Sequence, residues 1–179
     1  MPAIDIRPAI ETDIPILTAI DHAYTSSYVW QMELESRAEE VSVNFRQVRL
    51  PRTVRVEYPH SPKLLQGYWK KASEVLVALL DGEPVGYLCL QQDLTPLATW
   101  ITDLAVHPRV RRKGIGSTLV LAAQEWTASQ PRGRRLTFEL QPKNHPAISL
   151  AYKLGYEFCG YNDQHFTNQD LAVFFAKWV

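Results

Sequence analysis

Apolar residues along this chain switch between two periods, and the switches mark its elements. Ala3 to Pro8 alternates as a first strand. Glu11-Thr12-Asp13 supplies helix-start chemistry ahead of Ile14, Leu17 and Ile20, which share one helical face. The pattern carries that helix on from Asp21 to about Glu40, with Tyr24, Tyr28 and Trp30 near its middle. The period then shortens. Val41, Val43 and Phe45 alternate with polar residues, and Val54, Val56 and Tyr58 do so again after Pro51-Arg52, which predicts a β-hairpin or two irregular strands. Val75–Leu80 and Val85–Leu90 are apolar runs joined by the turn residues Asp81-Gly82-Glu83-Pro84.

Thr99 to Val106 is the next strand. A helix from Ser117, ending near Gln130-Pro131, puts Leu119, Ala122, Ala123 and Trp126 on one face. Leu136, Phe138 and Leu140 alternate with Arg135, Thr137 and Glu139 as a half-buried strand. Pro146 opens a last helix carrying Ala147, Leu150, Ala151 and Leu154, and Gly155 stops it. Two strand-like runs, Tyr156–Tyr161 and Leu171–Trp178, finish the chain. The order predicts one α/β (α+β) domain over residues 1–179, a mixed sheet with helices on both faces.

Composition narrows the function. With 46% apolar and 21% charged residues the chain has the make-up of an ordinary globular domain. Its 19 basic and 19 acidic residues balance, which argues against nucleic-acid or membrane-surface binding. Basic residues do gather at Arg109–Lys113 and Arg132–Arg135. Cys89 and Cys159 both lie in apolar runs and are expected as buried thiols with no disulfide framework. The first residues lack the basic head and apolar stretch of a signal peptide. No run approaches the roughly 18 apolar residues of a membrane span. A cytoplasmic setting is expected. The five histidines show no metal-ligand spacing, so no metal is expected.

The chemistry concentrates at Arg111-Arg112-Lys113-Gly114-Ile115-Gly116, between the strand end Asp103-Leu104-Ala105-Val106 and the helix from Ser117. Glycines there let backbone approach a ligand closely, and the first free N–H groups of a helix favour an anion. A phosphate or pyrophosphate is implied. Neither the kinase-type P-loop pattern nor the dinucleotide G-x-G-x-x-G is present. The stretch Leu104-Ala-Val-His-Pro-Arg-Val-Arg-Arg-Lys-Gly-Ile-Gly116, with its R-x-x-G-x-G core, resembles the acetyl-coenzyme A signature of the GNAT superfamily of N-acetyltransferases. A second segment, Asn144-His-Pro-Ala-Ile-Ser-Leu-Ala-Tyr152-Lys-Leu-Gly155-Tyr, resembles that family's N…A…Y-x-x-x-G-[FY] motif.

The resemblance implies a GNAT-type, mostly antiparallel sheet and acetyl-CoA as co-substrate. It implies cofactor contacts at Leu104, Ala105, Val106, Arg111, Arg112, Lys113, Gly114, Ile115, Gly116, Ser117 and Asn144, with Tyr152 beside the sulfur and the Val106 N–H at the thioester oxygen. Trp100-Ile-Thr-Asp-Leu-Ala-Val, Gln124-Glu-Trp126, Phe138-Glu-Leu-Gln141 and Phe174-Phe175-Ala-Lys-Trp178 resemble the streptothricin acetyltransferase group more narrowly. The chain departs from that group at Thr102, where the group has Glu, and at Ala151, where it has Phe.

An alkylamine with a pKa near ~10.4 has only about one molecule in a thousand deprotonated at neutral pH, so the site needs a base. Asp103 is the nearest carboxylate, with a strand-end structural role as its alternative. Glu139 is the second candidate, acting directly or through water. Tyr152, with a reference pKa of ~10, can protonate the departing thiolate. Tyr24, Tyr28, Trp30, the acidic run Glu33, Glu35, Glu39 and Glu40, and the polar stretch with Asp163 and His165 are candidates for the amine side, since aromatics and carboxylates suit a cation, with a core aromatic stripe beside a solvated charged face as the alternative for most of them. Of these Tyr28, Trp30 and Asp163 are the expected substrate contacts.

These readings converge on an acetyl-CoA-dependent N-acetyltransferase acting on a small-molecule primary amine by direct attack. A protein N-terminal or lysine acetyltransferase and a non-catalytic CoA-binding module are the alternatives. The apolar Leu171–Trp178 run would offer a surface for a homodimer, or else packs into the chain's own core.

Overall fold

The computed structural model describes residues 4–92 and 94–179. Its scaffold is a seven-stranded sheet built from β1 (Ile4–Pro8), β4 (Glu74–Leu80), β5 (Glu83–Gln91), β6 (Ala98–Val106), β7 (Arg135–Leu140), β9 (Ala172–Trp178) and β8 (Glu157–Asn162), in that spatial order. Every neighbouring pair is antiparallel except β6 and β7. The expected mixed, mostly antiparallel sheet is what forms. Ala3, included in the expected first strand, lies outside the described residues.

The short helices α1 (Ile14–Thr18) and α2 (Leu65–Tyr68) cover one face. Ile14, Leu17, Ile20 and Leu65 are buried there against Val75, Val77, Tyr87, Cys89 and Ala105. Helices α3 (Ile115–Ser129) and α4 (His145–Lys153) cover the other, burying Leu119, Val120, Ala123, Ile148 and Ala151 against Leu88, Ile101, Phe138 and Phe175. Burying such side chains contributes roughly 1.5–3 kcal/mol each, so this two-sided core carries the fold.

The region from Tyr24 to Val56 differs from the sequence expectation. It holds no helix: β2 (Tyr24–Ser36) and β3 (Val41–Val56) form a separate two-stranded antiparallel ribbon. From Gln31 to Glu35 the apolar residues Met32 and Leu34 alternate with polar ones, a period of two that suits a strand. Val41–Phe45 and Val54–Val56 are one strand pairing with β2, not two strands pairing with each other. Pro51 is tolerated because it sits where the register shifts between Ser26 and Tyr28, so no ladder bond needs its missing N–H. Glu33 and Glu35 lie on the solvated outer part of the ribbon beside Arg46 and Arg37, away from any cleft.

The last strands bring one correction, and a decision between two readings of the Leu171–Trp178 run. Cys159 is exposed, because β8 is an edge strand and Cys159 is the residue skipped where its register with β9 shifts. The Leu171–Trp178 run is an interior strand paired on both sides, with Val173 and Phe175 fully buried in the chain's own core. Trp178 at its end stays exposed. Among the described residues no helix is long and apolar enough to cross a membrane.

Candidate active site

The sheet opens where β6 and β7 part. They pair over only four positions, Ala98–Ile101 against Arg135–Phe138, yet β6 runs on to Val106 and β7 to Leu140. The wedge left between them is lined by Tyr58, Thr102, Asp103, Leu104, Glu139 and Gln141, and closed below by Ile101 and Phe138. A bulge aids the opening: Cys89 pairs with Asp103 and Leu90 with Ile101, leaving Thr102 without a partner. The extra residue puts Asp103 among the residues facing α1 and α2, while Ile101 faces α3.

Backbone groups of β6 point into this opening. The His107 N–H bonds the Val85 carbonyl at 2.7 Å, so it faces β5. In an antiparallel strand successive N–H groups alternate sides, which turns those of Val106 and Leu104 toward the wedge. The Leu104 N–H accordingly donates to the Tyr58 hydroxyl at 3.2 Å. The Val106 carbonyl, facing the same way, accepts from Arg111 Nε at 2.7 Å.

At the same end of β6 the chain turns through left-handed residues, Arg112 at φ 66° and Gly114 at φ 89°, into α3. A side chain would strain the Gly114 position, which explains its glycine. The first intrahelical bond runs from the Thr118 N–H to the Gly114 carbonyl, and no side chain caps the helix. The N–H groups of Ile115, Gly116 and Ser117 therefore precede the first helical bond, next to the exposed Arg112 and Lys113. A side chain at Gly116 would meet only the Leu150 methyl at 3.5 Å, so backbone is open there too. This terminus fits an anionic group such as the pyrophosphate of coenzyme A.

Arg111 behaves differently from its neighbours. Beyond Val106, its guanidinium donates to the carbonyls of Ala23 and Asp21, both at 2.7 Å. The side chain clasps β6 to the segment between α1 and β2, and its partners are carbonyls of the protein itself. Burial lowers its pKa below the ordinary value.

The two carboxylates of the wedge are held unequally. Asp103 is 5% exposed, and its Oδ2 accepts from the Tyr68 hydroxyl at 2.7 Å and from Thr102 Oγ1 at 3.2 Å. Burial pushes the hydroxyls of Tyr58, Tyr68 and Tyr87 well above their usual range, so all three stay protonated. His22 extends this buried network: Nδ1–H donates to the Ile20 carbonyl at 2.7 Å, so Nε2 accepts from the Tyr87 hydroxyl at 2.9 Å. Glu139, its side chain 10% exposed, instead faces His165 Nε2 at 3.0 Å and His60 Nε2 at 3.9 Å. Further along the wedge Gln141 accepts from Tyr24 at 2.8 Å and donates to Asp170 at 3.1 Å.

On the α4 side, Asn144 caps the helix by accepting from the Ala147 N–H at 3.2 Å and also lines the wedge. Tyr152 is 47% exposed, stacked on Trp30 at 6.0 Å and edge-on to Phe175 at 5.2 Å. Partial burial raises its hydroxyl above the ordinary 10. Tyr28 rests on His145 at 4.7 Å, and the Trp30 N–H of the backbone bonds the Pro142 carbonyl at 2.9 Å. Tyr28 and Trp30 thus brace α4 from the ribbon. Asp163 lies in the exposed turn after β8, its carboxylate bonded to the Gln164 N–H, and does not line the wedge. Tyr58, read in the sequence only as the end of a strand pattern, completes the site with His60, Tyr68 and Phe166, which reach it through loops or through α2 without a sequence signal of their own. Among the described residues no group of three or more potential ligands is gathered for a metal.

Comparison with known proteins gives a consistent assignment. The family model described as Acetyltransferase (GNAT) family matches residues 39–156. A streptothricin acetyltransferase of Streptomyces lavendulae is 31% identical over 80 residues, 45% of this chain and 42% of that protein. A provisionally named ribosomal-protein alanine N-acetyltransferase of Bacillus subtilis (strain 168) is 34% identical over 68 residues, 38% of this chain and 44% of that protein. The chain's match thus spans less than half the length of either curated relative. A crystal structure of nourseothricin acetyltransferase superposes with a TM-score of 0.80 at 20% identity, covering 98% of both chains. A provisionally named streptothricin acetyltransferase from Bacillus anthracis str. Ames, solved in complex with acetyl coenzyme A, gives 0.74 at 18% identity over 99% of this chain and all of that one. At these identities the two structures speak for the fold, while the family model spans most of the chain and both motifs. The chain belongs to the GNAT acetyltransferase family.

Proposed function

We propose that the protein transfers an acetyl group from acetyl-CoA to the primary amine of a small molecule, by direct attack across the wedge between β6 and β7. The observation that carries this reading is the alignment of three features at one opening. Free helix N–H groups lie at the end of β6, Val106 and Leu104 N–H groups point into the gap, and a carboxylate lies on the far wall. The 31% match to a streptothricin acetyltransferase supports a small, cationic acceptor. The two wall carboxylates, Asp103 and Glu139, suit an ammonium group.

Acetyl-CoA supplies the activated acyl carbonyl and a thiolate leaving group. Residues Gly114–Ser117, with Arg112 and Lys113, hold its phosphates, and Asn144 borders its path. Glu139 takes the proton that the ammonium must lose before it can attack. Asp103, already engaged by Tyr68 and Thr102, shapes the acceptor wall in this reading. The Val106 N–H donates to the carbonyl oxygen as negative charge grows there. Tyr152 gives its proton to the departing sulfur and is regenerated from solvent. Neither cysteine serves as a nucleophile: Cys89 is buried with its thiol pushed up, and Cys159 sits on the edge strand.

A protein amine is the second reading, favoured by the 34% match to the ribosomal-protein acetyltransferase. The test is CoA release from acetyl-CoA over a panel holding streptothricin, simple polyamines and an alanine-ended peptide, with Glu139→Gln and Tyr152→Phe alongside. Turnover on a small amine that falls about a hundredfold or more in Glu139→Gln supports the proposal. Turnover on the peptide alone would replace it with the second reading.

A further inference from the structure

Glu139 is held by a chain of contacts that runs to the end of β8. His165 sits in the turn between β8 and β9, its backbone anchored by an N–H bond to the Asp170 carbonyl at 3.0 Å. Its ring stands edge-on to Phe166 at 5.0 Å and to Phe174 at 5.7 Å, so its plane is fixed by packing. Nε2 faces Glu139 Oε1 at 3.0 Å, and Nδ1 faces the Asn162 amide nitrogen at 2.9 Å. An amide nitrogen only donates, so Nδ1 must accept and carries no proton. The ring proton of the neutral imidazole then lies on Nε2, the nitrogen 3.0 Å from the carboxylate oxygen.

We infer that Asn162 and His165 form a tautomer lock that positions Glu139 as the base, an inference that rests on the acetyl-transfer reading above. An imidazolium would set an Nδ1–H against the Asn162 N–H, donor against donor. Of the two neutral tautomers the lock therefore selects the one with its proton on the nitrogen beside the carboxylate. Among the described residues no lysine or arginine lies within ion-pairing distance of Glu139. The other titratable groups at this wall are His60, 3.9 Å from the same Oε1, and Asp103 and Tyr58, which line the same opening. His165 keeps Nε2 beside Oε1, and Oε2 is left for the amine.

Proton accounting agrees with a positioning role. The ammonium gives up two protons, both through Glu139 to solvent: one before attack and one as the amide forms, while solvent returns one proton to Tyr152 after it protonates the sulfur. Neither passes through His165, because its Nε2 already bears a proton while Nδ1 is occupied as an acceptor. His165 orients the base without exchanging protons with it.

The experiment is two-bond proton–nitrogen correlation NMR of the histidine rings in the intact protein without ligand, with His165→Gln identifying the His165 signals. The inference predicts the Nε2–H neutral pattern at pH 7. It also predicts a doubly protonated ring in Asn162→Asp, where a carboxylate would accept from Nδ1–H. An Nδ1–H or doubly protonated ring in the wild type, or an unchanged pattern in Asn162→Asp, overturns it. Kinetics with acetyl-CoA and streptothricin add a second readout. His165→Gln, whose amide N–H can still donate to Glu139, retains kcat/KM within about threefold, whereas His165→Ala loses about tenfold or more. Equal losses in folded variants contradict the positioning role. Absence of turnover in a wild type that shows the Nε2–H pattern counts against the transferase reading and leaves the lock standing.

Discussion

Replacing Arg111 with alanine separates two roles that the basic loop invites. The guanidinium makes three bonds of 2.7 Å to backbone carbonyls, two part-buried and one at the surface. A hydrogen bond to a charged group contributes about 1.5–3 kcal/mol when shielded and well under that when exposed. Taking about 1–1.5 kcal/mol for each part-buried bond and about 0.5 for the exposed one gives about 3 kcal/mol lost in Arg111→Ala. Out of a typical domain stability of about 5–15 kcal/mol that is a large fraction. Urea unfolding reads it directly: with a slope near 2 kcal/mol/M the midpoint drops by about 1.5 M and the slope stays constant. Arg111→Lys should recover less than half, because one ammonium cannot reach three carbonyls set around a planar fork. A loss below about 1 kcal/mol, together with a weakened Kd for acetyl-CoA, would refute the clamp and return the side chain to the ligand phosphates.

Gly114→Ala meets no neighbouring atom but forces a left-handed φ on alanine, so it should cost about 1–2 kcal/mol in the same unfolding assay and raise the KM for acetyl-CoA. Gly116→Ala keeps an ordinary backbone and gains only a methyl contact, so stability should hold within about 0.5 kcal/mol while acetyl-CoA binding weakens. Tyr152→Phe should lower kcat at least about tenfold with little change in stability. Because burial raises the Tyr152 hydroxyl, its acid form persists past pH 10, and any fall in kcat set by this residue must lie above that pH. Burial lowers the His22 pKa below 6.5, so between the folded and unfolded values the unfolded chain binds more protons. Stability should therefore be complete above about pH 6.5 and decline as the pH falls below it, and His22→Gln should flatten that decline in unfolding measured from pH 7 to 5.

Local signals made part of this protein legible. The turn before α3 shows in the sequence because Gly114 must take a left-handed φ and the helix face begins immediately after it. β7 shows because Leu136, Phe138 and Leu140 alternate over the full strand. The ribbon was illegible as such: Tyr24 through Trp30 has no single period, and its partners lie as far off as Val56. Tyr28 and Trp30, singled out in the sequence for their aromatic rings, pack on α4 at His145 and Tyr152, because the segment is a strand docked at Pro142 rather than a helix. Around the two carboxylates gather Tyr58 and His60 after β3, Tyr68 on the four-residue α2, and His165 after β8. Tyr58 ends the Val54–Val56 alternation and His165 stands in a polar stretch, but no pattern marks His60 or Tyr68, which tertiary packing alone brings to the site. Asp103 and Glu139 stand out as carboxylates on neighbouring strands, but which of them Tyr68 would occupy depends on the one-residue bulge at Thr102.

The most direct test of this account is a map of backbone amide shifts as acetyl-CoA is added. The account predicts the largest changes at Ile115, Gly116 and Ser117, with Val106 and Leu104 moving as the acyl end enters the wedge. Changes confined to the groove around Leu94, Leu97 and Arg132, with the end of β6 and the start of α3 silent, would contradict it.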